Sequence, residues 1–558
     1  MELLESRRLT GLSVVWDKPG AIVDLALTDD ENRSEVAKCW HSHVRRMLDA
    51  VGWQSEQLRT KEFIGGLSLA LSAPIDALYS AAEIAEWGVQ ACTANPDGSP
   101  AADFEKQRDE FLATIAAERN PRLLEIQAGA RKAGVAFLSD DDTVSAGLGR
   151  GSQSWPVVKL PDNVVYESLY DIPVALVTGT NGKTTTVRLA SHILRASGLN
   201  VGLSSTDWIS VNDRVLDRGD YSGPGGARAV LRERDVDVAV LETARGGLLR
   251  RGLGVERADV ALITNIAEDH LGDYGSQDLN ELLDLKWIVM QALDERSLAI
   301  LNADDPMLLE QAVTLSVKID WFSLTPEHEV FSRPDARGYS VVDNQIAALS
   351  NGEWQPLCPL EEIPITLNGA ALHNIANALA ASALTRALGV DDDALRVGLS
   401  SMQMSDNPGR CNLFELDRRT VLLDFAHNPD AMQAIFHIAE ALPAKRRVLC
   451  FGQAGDRTDE QIRELADKAF AIGLDQVIVS ELRDYLRGRE PGQVFSLLRE
   501  QLMTHGLQGR QISHNEWEIE SLQEAIAWSE PGDLIIMLAL GESRQILEYL
   551  HEHAELIA

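Results

Sequence analysis

The sequence predicts an α/β protein with a central doubly wound P-loop domain, a smaller Rossmann-like α/β domain at the C-terminal end and an α+β domain at the N-terminal end. From about residue 166 onward, short apolar runs rich in β-branched residues alternate with helical stretches, as in parallel sheets covered on both faces. A glycine-rich turn joins the first run to a helix, and the alternation starts again near residue 405. The predicted domains therefore cover residues 1–165, 166–405 and 406–558.

Composition excludes some classes of partner. The 558 residues include 51 Lys and Arg against 85 Asp and Glu, a formal net charge of −34. Nucleic-acid affinity depends on cations that neutralise phosphates, so we expect no nucleic-acid partner. An anionic membrane surface is disfavoured for the same reason, and no stretch reaches the ~18 apolar residues of a membrane span. With no signal-peptide core and no CxxC spacing among the five cysteines, the sequence predicts a cytoplasmic protein.

The first 165 residues predict one strand, AIVDLAL (21–27), and helices within residues 34–53, 73–94 and 103–134. Residues 139–163 are rich in Gly, Ser, Asp and Pro, which predicts a loop or linker. The string CWHSHVRR (39–46) contains metal-binding residue types. Because no Cys or His partner follows at metal-site spacing, we interpret it as an amphipathic helix that packs against the domain.

The sharpest motif is VALVTGTNGKTTTVRLA (174–190), a buried strand followed by a glycine-rich turn and a helix. Glycines let backbone N–H groups approach phosphate oxygens, and the helix N-terminus adds a positive partial charge. The GxxGKT spacing is two residues shorter than the common GxxxxGK[ST] loop. Lys183 is predicted to reach the terminal phosphates of ATP and the Thr184 hydroxyl to bind Mg²⁺. The predicted nucleotide-binding residues of this loop are Gly179, Thr180, Asn181, Gly182, Lys183, Thr184 and Thr185.

Charged side chains follow two further predicted strands. Glu242 ends VDVAVLE (236–242), and Asp269 and His270 follow DVALITNI (259–266). The carboxyl ends of parallel strands are where doubly wound sheets bind ligands, so these residues are predicted to hold Mg²⁺ near the γ-phosphate. Taken singly, Glu242 could equally be a solvated strand end and His270 a helix cap.

These residues belong to a set of motifs that resembles the Mur ligase superfamily of ATP-dependent amide ligases. The set comprises TGTNGKTT (178–185), LETARGGLLRRGL (241–253), TNIAEDHLGDYG (264–275), LNADDP (301–306), LHNIANALAA (372–381) and DFAHNPDAM (424–432). Other phrases are similar to the Mur-ligase-like part of cyanophycin synthetases, which attaches arginine to the β-carboxyl of aspartate. They are STDWI (205–209), GDYSGPGGA (219–227), PGRCNLFEL (408–416), GQAGDRTDEQI (452–462) and SELRDYLRGREPGQV (480–494).

The N-terminal region resembles the first domain of the same synthetases more weakly, through residues 7–27 and 147–156. Those enzymes carry an ATP-grasp ligase domain between the two parts, whereas here residues 139–170 lead directly into the phosphate loop. The sequence therefore predicts a single ligase centre. A separate ATP-grasp ligase is a candidate partner, and the N-terminal domain would hold an extended substrate or a partner.

The resemblance implies that ATP phosphorylates a carboxylate to an acyl phosphate, which an amine then attacks. The implied catalytic residues are Lys183, His270 and Lys286, and the implied metal ligands are Thr184, Glu242, His270 and Lys286. The residues implied for the base and ribose of ATP are Asn302, Asn374, Arg410 and Asp424. Since Arg410 and Asp424 lie beyond the central domain, the C-terminal domain would close over ATP. Ordinary turn chemistry is the alternative for Asn302 and Asp424.

Lys286 has a special implied role. In many Mur ligases a lysine downstream of the DH pair is carbamylated by CO₂ and becomes an anionic metal ligand. Lys286 follows His270 by sixteen residues (286 − 270) on an otherwise apolar helix face. Its alternative is a surface lysine whose alkyl chain covers apolar neighbours. The implied cofactors are Mg²⁺ and ATP, with a carbamylated Lys286 as the special case.

The substrate residues are less sharply indicated. The loop Ser222-Gly223-Pro224 would receive the carboxylate substrate, and Arg245 would bind its charge. The residues that would face the incoming amine are His427, Asn428, Asp456 and Arg457. The cluster of Arg483, Arg487 and Arg489 is interpreted as a solvated loop.

The sequence thus predicts an ATP-dependent carboxylate–amine ligase acting on amino-acid or peptide substrates, with an arginine-like amine among the candidates. Two alternatives stay open: a polyglutamylating or muropeptide-type ligase, and a noncatalytic nucleotide-binding subunit of a two-protein system. The phrases GDYSGP and DRTDE disfavour the first, and the intact Lys183, Thr184, Glu242, His270 and Lys286 disfavour the second. The oligomeric state stays open, a homo-oligomer included.

Overall fold

A computed structural model describes residues 1–28, 30–97, 99, 101, 103–268 and 278–557. Within these ranges the strands form sheets of 4, 3, 11 and 7 strands. None of the helices in the same ranges is long and apolar enough to cross a membrane. The predicted site residue His270 and its neighbour Asp269 lie outside the described residues.

The N-terminal region combines two antiparallel sheets with four helices. Its elements are β1 (Glu2–Leu9), β2 (Gly20–Ala26), α1 (Arg33–Ala50), β3 (Leu58–Phe63), β4 (Gly66–Ser72), α2 (Leu78–Ala94), α3 (Phe104–Glu118), α4 (Pro121–Ala133), β5 (Phe137–Ser139), β6 (Thr143–Ala146) and β7 (Gln153–Pro156). The first sheet has the order β1-β2-β4-β3, and α1 and α2 bury its inner face around Trp40 and Leu69.

Three details of this region differ from the sequence prediction. Only β2 was predicted in the first sheet, and β1, β3 and β4 pair with it or with each other. The helical stretch 103–134 forms two helices, because Asn120 caps the second one and Pro121 occupies its first turn. The predicted loop 139–163 includes the sheet β5-β6-β7, whose Val144 and Trp155 pack against α4. Its short, polar strands lack an apolar run, so their pairing with each other and with α4 decides their conformation.

The central region is built on the 11-stranded sheet. Its elements are β8 (Val174–Thr178), α5 (Lys183–Ala196), β9 (Val201–Ser204), β10 (Trp208–Val211), β11 (Arg214–Arg218), α6 (Pro224–Leu231), β12 (Val238–Glu242), α7 (Arg245–Arg251), β13 (Val260–Ile263), α8 (Leu279–Lys286), β14 (Leu298–Asn302), α9 (Pro306–Gln311), β15 (Lys318–Phe322), β16 (Gly338–Val342), β17 (Gln345–Ser350), β18 (Glu353–Pro359), α10 (Leu372–Ala387) and α11 (Asp392–Ser401).

The central sheet has the order β11-β10-β9-β12-β8-β13-β14-β15-β16-β17-β18. Neighbours from β9 to β16 in this order run parallel, and the strands beyond them pair antiparallel. Alternate residues of β8 bury opposite faces: Val177 packs with α5, α10 and α11, and Leu176 packs with α6, α7 and α8. The predicted doubly wound architecture is confirmed, with antiparallel edges that the sequence did not reveal.

The C-terminal region also combines a largely parallel sheet with helices, but it has fewer strands than the central region. Its elements are β19 (Asn412–Leu416), β20 (Arg419–Asp424), α12 (Pro429–Ala441), β21 (Arg447–Phe451), α13 (Asp459–Phe470), β22 (Gln476–Ser480), α14 (Gln493–Thr504), β23 (Ile512–Asn515), α15 (Glu518–Trp528), β24 (Leu534–Leu538), α16 (Ser543–His553) and β25 (Glu555–Leu556). The sheet order is β23-β22-β21-β24-β20-β19-β25, parallel from β23 to β20. The domain bounds themselves stay a prediction.

Candidate active site

A cavity of about 910 Å³ lies at the carboxyl ends of the central parallel strands. All three regions of the chain line it. The N-terminal region contributes Glu5 and Arg7, the central region contributes the phosphate loop, and the C-terminal region contributes residues around β20 and beyond it. A ligand that filled this cavity would contact all three regions of the chain.

The phosphate loop has a backbone that only glycine accommodates at two positions. Gly179 and Gly182 have φ of 144° and 83°, in the left-handed region. A Cβ at Gly179 would lie 1.8 Å from Thr264 Oγ1, and one at Gly182 would lie 2.2 Å from Asn377 Oδ1. Lys183, the first residue of α5, donates from Nζ to the carbonyl of Thr180 at 2.8 Å. The loop and helix N-terminus therefore have the geometry of an anion cradle.

Neighbouring segments hold the loop in this shape. The Asn181 amide donates to Asn265 Oδ1 at 2.9 Å, and Thr264 Oγ1 donates to the Asn181 carbonyl at 2.6 Å. Thr180 Oγ1 accepts from the Ala267 amide at 3.0 Å. Thr264 and Asn265 follow β13, so the strand next to β8 positions the loop.

A buried carboxylate meets hydroxyl groups beside the loop. Glu242, at the end of β12, accepts from Thr184 Oγ1 at 3.1 and 3.2 Å. It also accepts from Thr206, from Oγ1 at 2.7 Å and from the backbone amide at 3.2 Å. Glu242 is only 2% exposed, which contradicts the alternative of a solvated strand end. An anionic oxygen among hydroxyl oxygens is the donor set that hard Mg²⁺ prefers, so these residues fit the ion.

Lys286 lies beneath the phosphate loop. It ends α8 with 3% of its surface exposed, and its Nζ donates to the carbonyl of Gly179 at 2.6 Å. The alternative of a surface lysine is therefore wrong, because burial against the loop replaces solvent. Carbamylation of Lys286 stays a prediction.

The asparagines predicted to bind ATP line the cavity, but their amides bond within the protein. Asn302 donates to the Thr264 carbonyl at 2.9 Å and accepts from the Asp304 amide at 3.0 Å, which is turn chemistry. Asn374 donates to the Ile365 carbonyl at 2.9 Å and accepts from Asn377 at 3.1 Å. These side chains form part of the cavity wall.

The C-terminal region reaches the cavity through Arg410 and Asp424. The guanidinium of Arg410 lies 4.5 Å from the centre of the Phe425 ring, and Asp424 accepts from the Cys411 amide at 2.8 Å. Burial raises the pKa of the Cys411 thiol and lowers the pKa of its neighbour His373, whose Nε2 lies 3.1 Å from the sulfur.

A pair of amides joins the phosphate loop to the C-terminal region. Asn428 Nδ2 donates to Asn181 Oδ1 at 2.9 Å, and Asn181 Nδ2 donates to Asn428 Oδ1 at 3.3 Å. Asn428 also caps α12 through the Ala431 amide. Asn428, which was predicted to face the incoming amine, thus contacts the phosphate loop.

The predicted substrate residues divide into two groups. Ser222, Arg245, His427 and Asp456 line the cavity. Among the described residues, the cavity lining does not include Gly223, Pro224, Asn428 or Arg457. Gly223 and Pro224 begin α6 and pack closely on Gly247 of α7, because a Cβ at Gly247 would lie 2.7 Å from Gly223 Cα. They shape the loop that carries Ser222.

Sequence reasoning missed several residues of the site. Thr206 binds Glu242, and Asn265 and Asn377 support the loop. Each lies in a quoted phrase, STDWI, TNIAEDHLGDYG or LHNIANALAA, but none was singled out there. Glu5, Arg7 and Asp430 also line the cavity. Asp430 belongs to the motif DFAHNPDAM and Arg7 to the segment 7–27, but neither was predicted as a site residue. Arg487 is exposed, as the interpretation of a solvated loop requires, and it also borders the cavity. Arg483 pairs with Glu516 at the surface, and Arg489 bonds to the carbonyls of Gly455 and Arg457.

Comparison with known proteins decides the family. Residues 177–385 match the Mur ligase middle domain, and residues 409–541 match the Mur ligase glutamate ligase domain. The chain belongs to the Mur ligase family. This membership confirms the predicted family, a family of ATP-dependent acid–amino-acid ligases.

Curated relatives of this Mur ligase family member include cyanophycin synthetases. The chain is 35% identical over 393 residues to the enzyme of Geminocystis herdmanii (strain PCC 6308), covering 69% of this chain and 44% of the relative. It is 38% identical over 334 residues to the Synechocystis sp. enzyme (strain ATCC 27184 / PCC 6803 / Kazusa), covering 59% of this chain and 38% of the relative. The chain thus spans less than half the length of these relatives.

One further relative and one solved structure complete the comparison. The UDP-N-acetylmuramoyl-L-alanyl-D-glutamate–2,6-diaminopimelate ligase of Geobacter metallireducens is 27% identical over 405 residues, covering 68% of this chain and 76% of the relative. The structure of E. coli FolC in complex with ADP, without folate substrate, superimposes with a TM-score of 0.50 at 21% identity. That superposition covers 68% of this chain and 89% of FolC, and it confirms the fold of this Mur ligase family member.

Proposed function

We propose that the protein is an ATP-dependent carboxylate–amine ligase that joins an amino acid to an amino-acid or peptide carboxylate through an acyl phosphate. One observation carries the proposal: the glycine-shaped phosphate loop and the Thr184–Glu242 pair open into a cavity lined by all three regions of the chain. A plain nucleotide-binding module has no need of so large a shared cavity.

Lys183 and the loop amides would hold the phosphates of ATP. The ammonium group of Lys183 now donates to the Thr180 carbonyl, and a phosphate oxygen would replace that neutral acceptor with a charged one. Thr184 and Glu242 would hold Mg²⁺, whose charge would offset the repulsion between carboxylate and γ-phosphate. Thr206 keeps the Glu242 carboxylate oriented through two hydrogen bonds.

Arg245 and Ser222 would bind the acid substrate. Arg245 begins α7 directly after the strand that ends with Glu242, which brings its charge to the same cavity edge. Ser222 is fixed by Asp220, which accepts from its amide at 3.0 Å and from its hydroxyl at 2.6 Å. The carboxylate would then lie between a cation and the phosphate loop, close to where phosphoryl transfer requires it.

Acidic residues in the cavity lining support a cationic amine substrate such as an arginine-like one. Asp430 and Asp456 of the C-terminal region line the cavity. Asp456 Oδ1 is buried without a hydrogen-bond partner among the described residues. Leaving an anionic oxygen unpaired is costly, and a guanidinium or ammonium group of the substrate would satisfy it. A second protein, such as an ATP-grasp ligase, would supply the acid substrate.

The test is ADP release with ATP, Mg²⁺ and a panel of acid and amine pairs, followed by mass spectrometry of the products. We expect product only when a basic amino acid accompanies an aspartate-containing acid. Turnover with glutamate as the amine would favour the polyglutamylating alternative. ATP binding without turnover for any pair would overturn the proposal and favour the noncatalytic subunit.

A further inference from the structure

Three metal-binding side chains meet in the core of the N-terminal region. Cys39 and His43 are four residues apart on α1, so they share one face of the helix. Cys92 comes from α2, which packs against that face. One ring nitrogen of His43 and the two sulfurs all lie within 4.8 Å of one another. The side chains are 8%, 0% and 5% exposed for Cys39, His43 and Cys92.

The imidazole of His43 is bonded at one nitrogen only. Nε2 lies 3.1 Å from the carbonyl oxygen of Asn95, which follows α2. A carbonyl accepts but cannot donate, so Nε2 is the donor, and Nδ1 is the nitrogen that can offer a lone pair. Nδ1 is buried and has no hydrogen-bond partner among the described residues. Metal-ligating histidines commonly have this arrangement, with the second nitrogen donating to a carbonyl.

The two thiols make only weak hydrogen bonds, because a thiol is a weak donor and a weak acceptor. Cys39 Sγ donates to the Asn95 carbonyl at 3.5 Å, and Cys92 interacts with Cys39. Burial and the neighbouring Cys39 raise the pKa of the Cys92 thiol, so without a metal it stays protonated and unreactive at neutral pH. This disfavours a redox-active pair, because a thiolate is the form that oxidants attack.

We propose that Cys39, His43 and Cys92 form a structural Zn²⁺ site that joins α1 to α2. Two thiolates balance the charge of the ion, which a buried site requires, and with the imidazole nitrogen they supply three of the four ligands of a tetrahedral zinc site. On binding, each thiol loses its proton to solvent as its sulfur–zinc bond forms, and no electron is transferred. None of the three residues lines the ligase cavity, so the ion would stabilise the fold without entering the reaction.

Packing of α1 against α2 is by itself a weaker explanation of this cluster of side chains. Helices pack with apolar side chains, and nothing in packing calls for two thiols and an imidazole at one point of a core. The sequence around CWHSH (39–43) shows no third ligand at metal-site spacing, because Cys92 lies 49 residues beyond His43 (92 − 43). Only the packing of α2 on α1 brings it there.

The experiment uses the full chain, stripped with a chelator and then titrated with Zn²⁺ alone or with Co²⁺ as a spectroscopic substitute. We expect about one Zn²⁺ per chain and a thiolate-to-cobalt absorption band, which oxygen ligands at the magnesium site cannot produce. Because two protons leave, affinity for Zn²⁺ should fall about 100-fold for each unit of pH lowered.

Matched variants locate the site. Cys92→Ser and His43→Gln should lose the cobalt band. The controls Cys450→Ser, a buried thiol of the C-terminal sheet, and His41→Gln, a residue of the same helix bonded to Thr60, should keep it. The proposal is overturned if the unaltered chain shows no cobalt band, or if Cys92→Ser keeps it. Should a variant fail to fold, the spectrum and pH slope of the unaltered chain still decide.

Discussion

Arg188 of α5 ties the segment between the central and C-terminal sheets to the helix that follows the phosphate loop. Its guanidinium is 4% exposed and donates to Asn407 Oδ1 at 2.9 Å and to the Pro408 carbonyl at 3.3 Å. It also pairs with Asp207 and lies 4.1 Å from the centre of the Trp208 ring. Burial lowers its pKa to about 10, so it stays charged at neutral pH. We expect Arg188→Met to release this segment.

The magnitude follows from the ion pair and hydrogen bonds that this guanidinium makes. Breaking a buried charge pair costs about 3–5 kcal/mol, and a hydrogen bond to a charged donor is worth about 1.5–3 kcal/mol. Two effects reduce this loss of free energy. Asp207 is 40% exposed and is solvated again once the ion pair is gone, and the variant no longer buries a charge. We expect local opening of residues 404–412 to become easier by about 3 kcal/mol, a factor of about 100 in hydrogen-exchange protection.

Native-state hydrogen exchange of the Asn407 and Arg410 amides is the assay, because these amides bond within the segment. Arg195→Met is the matched control on the same helix. Arg195 pairs with Asp213 at the surface, where an ion pair is worth less than about 1 kcal/mol. Since Arg410 belongs to the same segment and lines the cavity, only Arg188→Met should also raise the KM for ATP. Equal loss of protection in the two variants would refute this reasoning.

Three further predictions concern the cavity. Glu242→Gln should lower kcat about 10²–10³-fold, because it removes the charge that would hold Mg²⁺ while Thr184 and Thr206 keep an acceptor; steady-state kinetics at saturating Mg²⁺ checks this, and an unchanged kcat would contradict it. Asp456→Asn should raise the KM for a basic amine about 10–100-fold through one lost charge-assisted bond and leave the KM for ATP unchanged; a matching rise for ATP would mean that the loop has moved. Burial lowers the pKa of His373 in the folded protein, so the unfolded chain binds a proton at this residue more tightly than the folded chain does. The folded state is therefore not penalised above the ordinary pKa of 6.5, and it loses stability as the pH falls below that value. Between pH 8 and pH 5 the Tm of His373→Gln should therefore fall less than the Tm of the unaltered protein. An equal fall in Tm for both proteins would contradict this prediction.

The sequence determined the elements that local pattern encodes. Buried parallel strands need continuous β-branched runs, so the strands that end at Thr178 and Glu242 were predictable, as was the loop between Gly179 and Lys183. The fixed order of strand, glycine turn and helix makes this part of the site a local property. Family resemblance added Arg410 and Asp424, which follow no local rule.

Tertiary structure decided whatever depends on contacts between distant segments. Local pattern alone does not distinguish Lys286 from an ordinary helical lysine, and its burial depends on the packing of α8 under Gly179. The phrase STDWI did not show that Thr206 would bind Glu242. The strands of residues 137–156 form because they pair with each other, although their composition indicates a loop. Cys92 joins Cys39 and His43 only because α2 crosses α1. Composition and periodicity report what each residue prefers locally, whereas a site depends on which surfaces bury one another.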